Sequence, residues 1–235
     1  MASRKELKKQ KEKTSQALID AALDLCAEEG YASLSLRSVA RKAGIAPTSF
    51  YRHFREIDEM GVEMAVQAKI VLEDCLVRAL KKMTFSAFKK SDDPAFLIKA
   101  VDQNTRPFVE TFLSCFKKNR LLLHFFFQER TGNSEPLRSA IDEAWKELSQ
   151  LLKTAMEQFA AAAKTEFTDL SAIADTVLSN LSDCCRQTLV HPETKPADAA
   201  VFAAHRLNLI LMGAIAVGRH IKNPAHPNTQ GDIND

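Results

Sequence analysis

The sequence predicts an all-α protein in two parts, a small N-terminal domain built around a helix-turn-helix and a larger helical body. Three observations carry this. The 235 residues include only 7 Gly and 8 Pro, against many Ala, Leu, Lys and Glu, which favour helix. Apolar residues recur three and four apart along most uninterrupted stretches, the period of a helix with one buried face. The segment SLRSVARKAGIAPTSFYRHF, Ser35 to Phe54, reads as two short helices joined by a tight turn. A chain of this length can bury a sizeable core in one or two domains.

Residues 1–10 form a basic arm, with Arg4, Lys5, Lys8 and Lys9 against Glu6. It reads either as a frayed, solvated start or as an extension lying along phosphates or reaching a minor groove. The first helix is expected from Glu12 to Glu29, with Leu18, Ala22, Leu25 and Cys26 as its apolar stripe and Gly30 as its stop. Ser35 is a good N-cap for the next helix, whose inner face is Leu36, Val39 and Ala40. Gly44 ends that helix, because glycine accepts the left-handed conformation. Pro47 suits the first turn of the following helix, where its missing N–H costs nothing. Phe50 and Phe54 lie four apart and pack inward. Thr48, Ser49, Arg52, Arg55 and the polar ends of Tyr51 and His53 are left outside. A long helix follows from Ile57 to Leu80, apolar at Ile57, Met60, Met64, Ala68, Val71 and Cys75. Residues 11–72 make the N-terminal domain.

The body spans residues 73–222, and 223–235 form a flexible tail. A loop over 81–93 ends at Pro94, which restarts a helix. Pro107 is expected to kink or break it. Phe108, Phe112 and Phe116 then recur every fourth residue, and LLLHFFFQERTG follows, with Gly132 as a stop. The next helix opens at Ser134 and turns Leu137, Ile141, Trp145, Leu148, Leu152 and Phe159 inward. Two helices close the chain, Asp169 to Val190 and Ala197 to Ile221. The first is apolar on two faces and so must be buried on two sides.

Charge is unevenly placed. Residues 1–55 carry 11 Lys or Arg and 6 Asp or Glu, while the whole chain is only +2. Between Gly30 and Arg55 the charged residues are Arg37, Arg41, Lys42, Arg52 and Arg55, all basic. A one-signed helix-turn-helix points to DNA. Thr48 and Ser49 stand at the N-terminal end of the recognition helix, where side chains reach base edges. Ser35 and Arg37 can grip phosphate at the start of the preceding helix.

The five cysteines form no CxxC pair and no zinc spacing. Cys26 and Cys75 are expected as buried small hydrophobes. The adjacent Cys184 and Cys185 read as helix packing or as an oxidant sensor. An odd count without a signal peptide suggests a reducing cytoplasm. The apolar run Leu209 to Val217 is shorter than the roughly 20 residues needed to cross a bilayer, so no membrane insertion is expected. The chain has no Gly-rich phosphate loop, GxSxG or HExxH. No catalytic residue, metal or cofactor is expected, and the protein is not read as an enzyme.

KEKTSQALIDAALDLCAEEGYASLSLRSVARKAGIAPTSFYRHF, continued into REIDEMGVEM, resembles the N-terminal domain of the TetR family of bacterial repressors. The resemblance covers residues 11 to 66, with a weaker echo at QERTG. Most members carry Lys early in the helix after the motif, on a phosphate. This chain has Ile57 and Asp58 there. That departure, with GIAPTSFYRHFREIDEMG, resembles the FabR and DesT repressors of unsaturated fatty-acid synthesis genes.

The resemblance implies a homodimer on a palindromic double-stranded operator, with Ser35, Arg37, Pro47, Thr48, Ser49, Tyr51, Arg52, His53 and Arg55 at the DNA. Tyr51 and His53 match phosphate contacts, and Arg52 or Arg55 supplies the missing cation. The last two helices would dimerise through Leu178, Leu181, Cys185, Leu209, Gly213 and Ala216. The effector implied is a long-chain acyl thioester on coenzyme A or acyl carrier protein. Phe108, Phe112, Phe116, Phe126, Phe127 and Trp145 are candidates for its slot. Arg130 is the candidate for its phosphates, with Lys117, Lys118, Arg120 and Arg138 also available. From their spacing alone the same aromatic residues read more readily as plain core. Two other readings stay open: a different apolar effector such as a drug, and an architectural DNA-binding protein without a ligand.

Overall fold

A computed structural model of the chain describes residues 4–84, 94–163, 167, 169–191, 193 and 195–222. The predicted tail lies outside these residues, as does most of the 81–93 loop. Among the described residues the elements are α1 (Arg4–Glu29), α2 (Leu36–Lys42), α3 (Pro47–Phe50), α4 (Ile57–Leu80), α5 (Pro94–Lys118), α6 (Arg120–Gln128), α7 (Glu135–Ala163), α8 (Leu170–Val190) and α9 (Pro196–Lys222). Single 3₁₀ turns lie at Tyr31–Ser33 and Glu129–Thr131.

Helix α1 starts at Arg4, well before Glu12. The expected arm is thus helical from its fourth residue. No Gly or Pro interrupts the segment, its residues are good helix formers, and Lys8 pairs with Glu12 at 3.8 Å across one turn. Burial begins only later, at Leu18, Ile19 and Ala22. The turns beside this helix need glycine: Gly30 has φ of 81° and Gly44 of 70°.

The head packs α1 against α2, and α2 against α3. Phe50 and Phe54 are buried with their rings 5.7 Å apart. From there one continuous apolar core runs through Met60 and Met64 of α4 into the body, to Phe112, Leu123 and Leu137. Helix α4 packs on α5 and α7, α5 on α9, α7 on α8, and α8 on α9.

Three expectations are corrected in the body. Helix α5 continues through Pro107. Packing against both α4 and α9 holds the helix where its own backbone lacks a donor. Cys75, buried in the core, is not a free hydrophobe, because it forms a disulfide with Cys115 of α5. Leu178, Leu181 and Cys185 are fully buried inside the protomer, so they bind α8 to its own core and cannot meet a second copy. Leu209 is 62% exposed, and Gly213 and Ala216 are exposed beside it on α9. Helix α9 also contains a stretch, Ala197–Val217, that is long and apolar enough by length and composition to cross a membrane, a test that the core helix of a soluble protein passes as well. Its exposed apolar residues form a stripe, with Phe202 68% and Val217 51% exposed.

Candidate nucleic-acid interface and body cavity

The geometry of the head is set by local chemistry at Ser35. Its Oγ accepts from the Ser38 N–H at 3.1 Å, and its own N–H donates to Ser38 Oγ at 3.0 Å. This capping box, with Ser in place of the usual Glu or Gln, fixes the start of α2. Arg37 then leaves the first turn of α2 exposed. Ser35, Arg37, Ser38, Arg41, Gly44, Ile45 and Pro47 line an open groove between α2 and the start of α3. Arg41 therefore belongs with the predicted site, although its position on the helix reads as an ordinary solvated face. Lys42 turns away, onto Glu28 of α1 at 3.2 Å.

The recognition element is shorter than predicted. Only Pro47–Phe50 is α-helix, and residues 51–53 continue as turns, with His53 N–H on Phe50 O at 2.8 Å and Phe54 N–H on Phe50 O at 3.0 Å. Pro47, Thr48, Arg52 and Arg55 are exposed, Ser49 is half-buried, and Tyr51 stands 62% exposed with its ring edge-on to Phe50. Glu59, an acidic neighbour, reaches back to cap the Arg55 N–H at 2.5 Å. His53 is half-buried, and its Nδ1 has no hydrogen-bond partner. Burial lowers its pKa, helped by the charges of Lys11 and Arg52.

In the body, the predicted aromatic slot is divided between two places. Phe112, Phe116 and Phe126 are core residues. Phe127 meets Trp145 edge-on at 6.5 Å, and Arg130 lies 3.6 Å above the Trp145 ring, a cation–π contact. Arg138 donates to Gly132 O at 2.7 Å and pairs with Glu135. Phe108 instead lines an apolar cavity of about 40 Å³. Leu80 at the end of α4, Met83 just beyond it, Leu152, Met156 and Phe159 of α7, Val177 of α8, and Leu207 and Leu211 of α9 also line it. Sequence reasoning missed these residues. Phe159 and Leu152 were legible as inward-facing, but nothing marked them as cavity walls. Lys117, Lys118 and Arg120 are exposed where α5 meets α6 and do not line it.

Residues 18–64 match the bacterial regulatory proteins of the tetR family. An uncharacterized HTH-type transcriptional regulator of Haemophilus influenzae is 39% identical over 132 residues, 56% of this chain and 57% of that protein. The match thus spans little more than half the length of that relative. Among solved structures, the fatty acid degradation regulator FadR of Bacillus halodurans superposes with a TM-score of 0.61 at 18% identity, covering 83% of this chain and 94% of that one. A regulatory protein of the tetR family from Rhodococcus RHA1 gives 0.61 at 18% identity, covering 86% and 97%. At such identities the likeness is one of fold.

Proposed function

We infer that this protein is a TetR-type transcriptional regulator that binds a palindromic operator as a homodimer and takes a long-chain acyl thioester as its effector; the match of residues 18–64 to the tetR family supports the first part. The observation that carries DNA binding is the exposed set Arg37, Arg41, Thr48, Tyr51, Arg52 and Arg55, drawn from a stretch, residues 30–55, in which every charged residue is basic. Cations on such a face neutralise phosphates, and the hydroxyls of Thr48 and Ser49 can read base edges. One head contacts too few bases to find a site in a genome. Two heads about 34–36 Å apart, related by a two-fold axis, read a palindrome. The exposed stripe of Phe202, Leu209 and Val217 on α9 supplies the apolar face for that pairing. The site of action is the cytoplasm, where the genome lies.

The acyl reading rests on the resemblance of GIAPTSFYRHFREIDEMG to repressors of unsaturated fatty-acid synthesis genes, together with the apolar cavity at Phe108. That cavity, about 40 Å³, holds little more than one water's share of liquid, about 30 Å³. A long chain enters only as Met83, Phe108, Met156 and Phe159 move aside. Each methylene buried there contributes about 0.8 kcal/mol. Leu80 and Met83 follow from α4, whose first turn abuts the head, so filling the cavity displaces the helix that carries the DNA-binding surface. Coupling of this kind is typically about 1–3 kcal/mol. The small, wholly apolar cavity also favours a second reading, a compact apolar effector with no thioester.

Selection of bound sequences from random DNA tests the first half, and a protein that enriches no palindrome defeats it. DNA affinity measured with saturated and cis-unsaturated acyl-CoA of equal length tests the second. Unchanged affinity with both leaves the compact-effector reading.

A further inference from the structure

Asp58 stands in the first turn of α4, where most TetR-type proteins place a phosphate-binding Lys. Here its side chain turns inward. Its Oδ1 accepts two hydrogen bonds, from Tyr31 Oη at 3.1 Å and from Ser134 Oγ at 2.9 Å. These donors come from different parts of the molecule. Tyr31 belongs to the 3₁₀ turn that joins α1 to α2 in the head. Ser134 immediately precedes α7 of the body, and its Oγ also accepts from the Leu137 N–H at 3.4 Å, as a cap does.

The surroundings hold this geometry. Tyr31 Oη also lies 3.1 Å from Ile57 O, so its single proton is shared between that carbonyl and Asp58 Oδ1, and its ring packs against Phe125 of α6 at 5.6 Å. Gly61 makes room for it. A Cβ there would stand 2.3 Å from Tyr31 Oη and 2.9 Å from Cζ. Tyr31 is buried, and Asp58 and Ser134 are half-buried. Such bonds to a carboxylate are costly to leave unmade. The head cannot tilt on the body about the start of α4 without breaking the bond to Ser134 or the bond to Tyr31.

We propose that Asp58 is the positioning residue that sets the angle of the DNA-binding head on the body, with Tyr31 and Ser134 as its two partners, and thereby sets the half-site spacing that the dimer accepts. This rests on the DNA-binding reading above. In place of a phosphate contact, the position holds a joint. A rigid joint matters because one added base pair moves a half-site by about 3.4 Å and rotates it by about 35°.

The test compares Tyr31→Phe, Ser134→Asp and Ser134→Thr with the parent protein on its selected palindrome and on versions with one base pair added or removed at the centre. Tyr31→Phe keeps the ring on Phe125 but loses the donor. Ser134→Asp keeps a good cap for α7 but sets a carboxylate against Asp58. Ser134→Thr keeps both cap and donor. The parent is expected to discriminate against the altered spacings by about tenfold or more, and each of the first two variants to lose most of that ratio. Ser134→Thr should retain it. Loss of folded protein alone would weaken all three DNAs equally and leave the ratio unchanged. An unchanged ratio in both Tyr31→Phe and Ser134→Asp overturns the joint. If the parent selects no DNA, the DNA-binding reading fails by itself. Hydrogen exchange on the DNA-free protein then decides the joint. Faster exchange in the Tyr31 turn and the first two turns of α4 in both variants upholds it, and parent-like exchange overturns it.

Discussion

Cys75 of α4 and Cys115 of α5 are joined by a disulfide across a Cα–Cα distance of 5.7 Å, 40 residues apart in sequence. The bond ties the helix that carries the head to the helix beside it. Closing a loop of that length in the unfolded chain stabilises the fold by about 4 kcal/mol in the chain-entropy account. Peptide mapping under non-reducing conditions should recover a Cys75–Cys115 cross-link, and a reductant should lower the unfolding temperature. Absence of the cross-linked peptide would refute the bond. Cys26 should stay unmodified by thiol reagents in the native protein, since burial, aided by Glu129, pushes its thiol up to about 12.

The DNA face should divide its labour. Tyr51→Phe and His53→Ala should weaken binding to all sequences alike, on the reading that these residues are phosphate contacts. Thr48→Ala and Ser49→Ala should relax discrimination at a few base positions, by about 1–3 kcal/mol for each base that is no longer read. Affinity should fall steeply with added salt. Binding measured on a panel of single-base operator variants separates the two effects, and equal loss of discrimination from both pairs would contradict the assignment.

Helices α8 and α9 should respond differently to the same substitution. Leu178 is fully buried in its own protomer, so Leu178→Glu should unfold the chain by burying an unpaired charge. Leu209 is 62% exposed, so Leu209→Glu should leave a folded monomer. Light scattering with circular dichroism reads both outcomes. A stable dimer in Leu209→Glu would move the interface off this stripe.

Glu129 is buried where the body meets the head, and burial raises its carboxyl pKa above the ordinary value of 4.5. The folded state then holds this proton more tightly than the unfolded state. The cost of ionising the group is absent below about pH 4.5 and grows as pH rises through the folded pKa. Glu129→Gln should therefore match the parent in acid and exceed it at neutral pH. Denaturant unfolding of both proteins across that range checks the sign, and a difference independent of pH would exclude the carboxylate as its cause.

Local chemistry made the head legible. Ser35, Gly44 and Pro47 punctuate their helices through backbone rules that act within a few residues, and the structure places all three as those rules require. Helix α1 was harder to bound, because nothing between Arg4 and Lys13 either breaks or anchors a helix. Pro107 shows the opposite limit. Its local preference to interrupt the helix is overridden by packing on both sides of α5.

By itself, the sequence determined the all-helical class, the helix-turn-helix and its one-signed face. These depend on propensity, periodicity and charge, which are properties of neighbouring residues. Only the tertiary structure decided that Cys75 meets Cys115, that Asp58 joins Tyr31 to Ser134, and that Leu178 faces inward while Leu209 faces out. It also decided that Phe108 borders a cavity shared by α4, α7, α8 and α9. Apolar spacing marks a residue for burial without naming what covers it. A cavity remains only where side chains from several helices fail to fill the space between them, and that depends on how all of those helices pack at once.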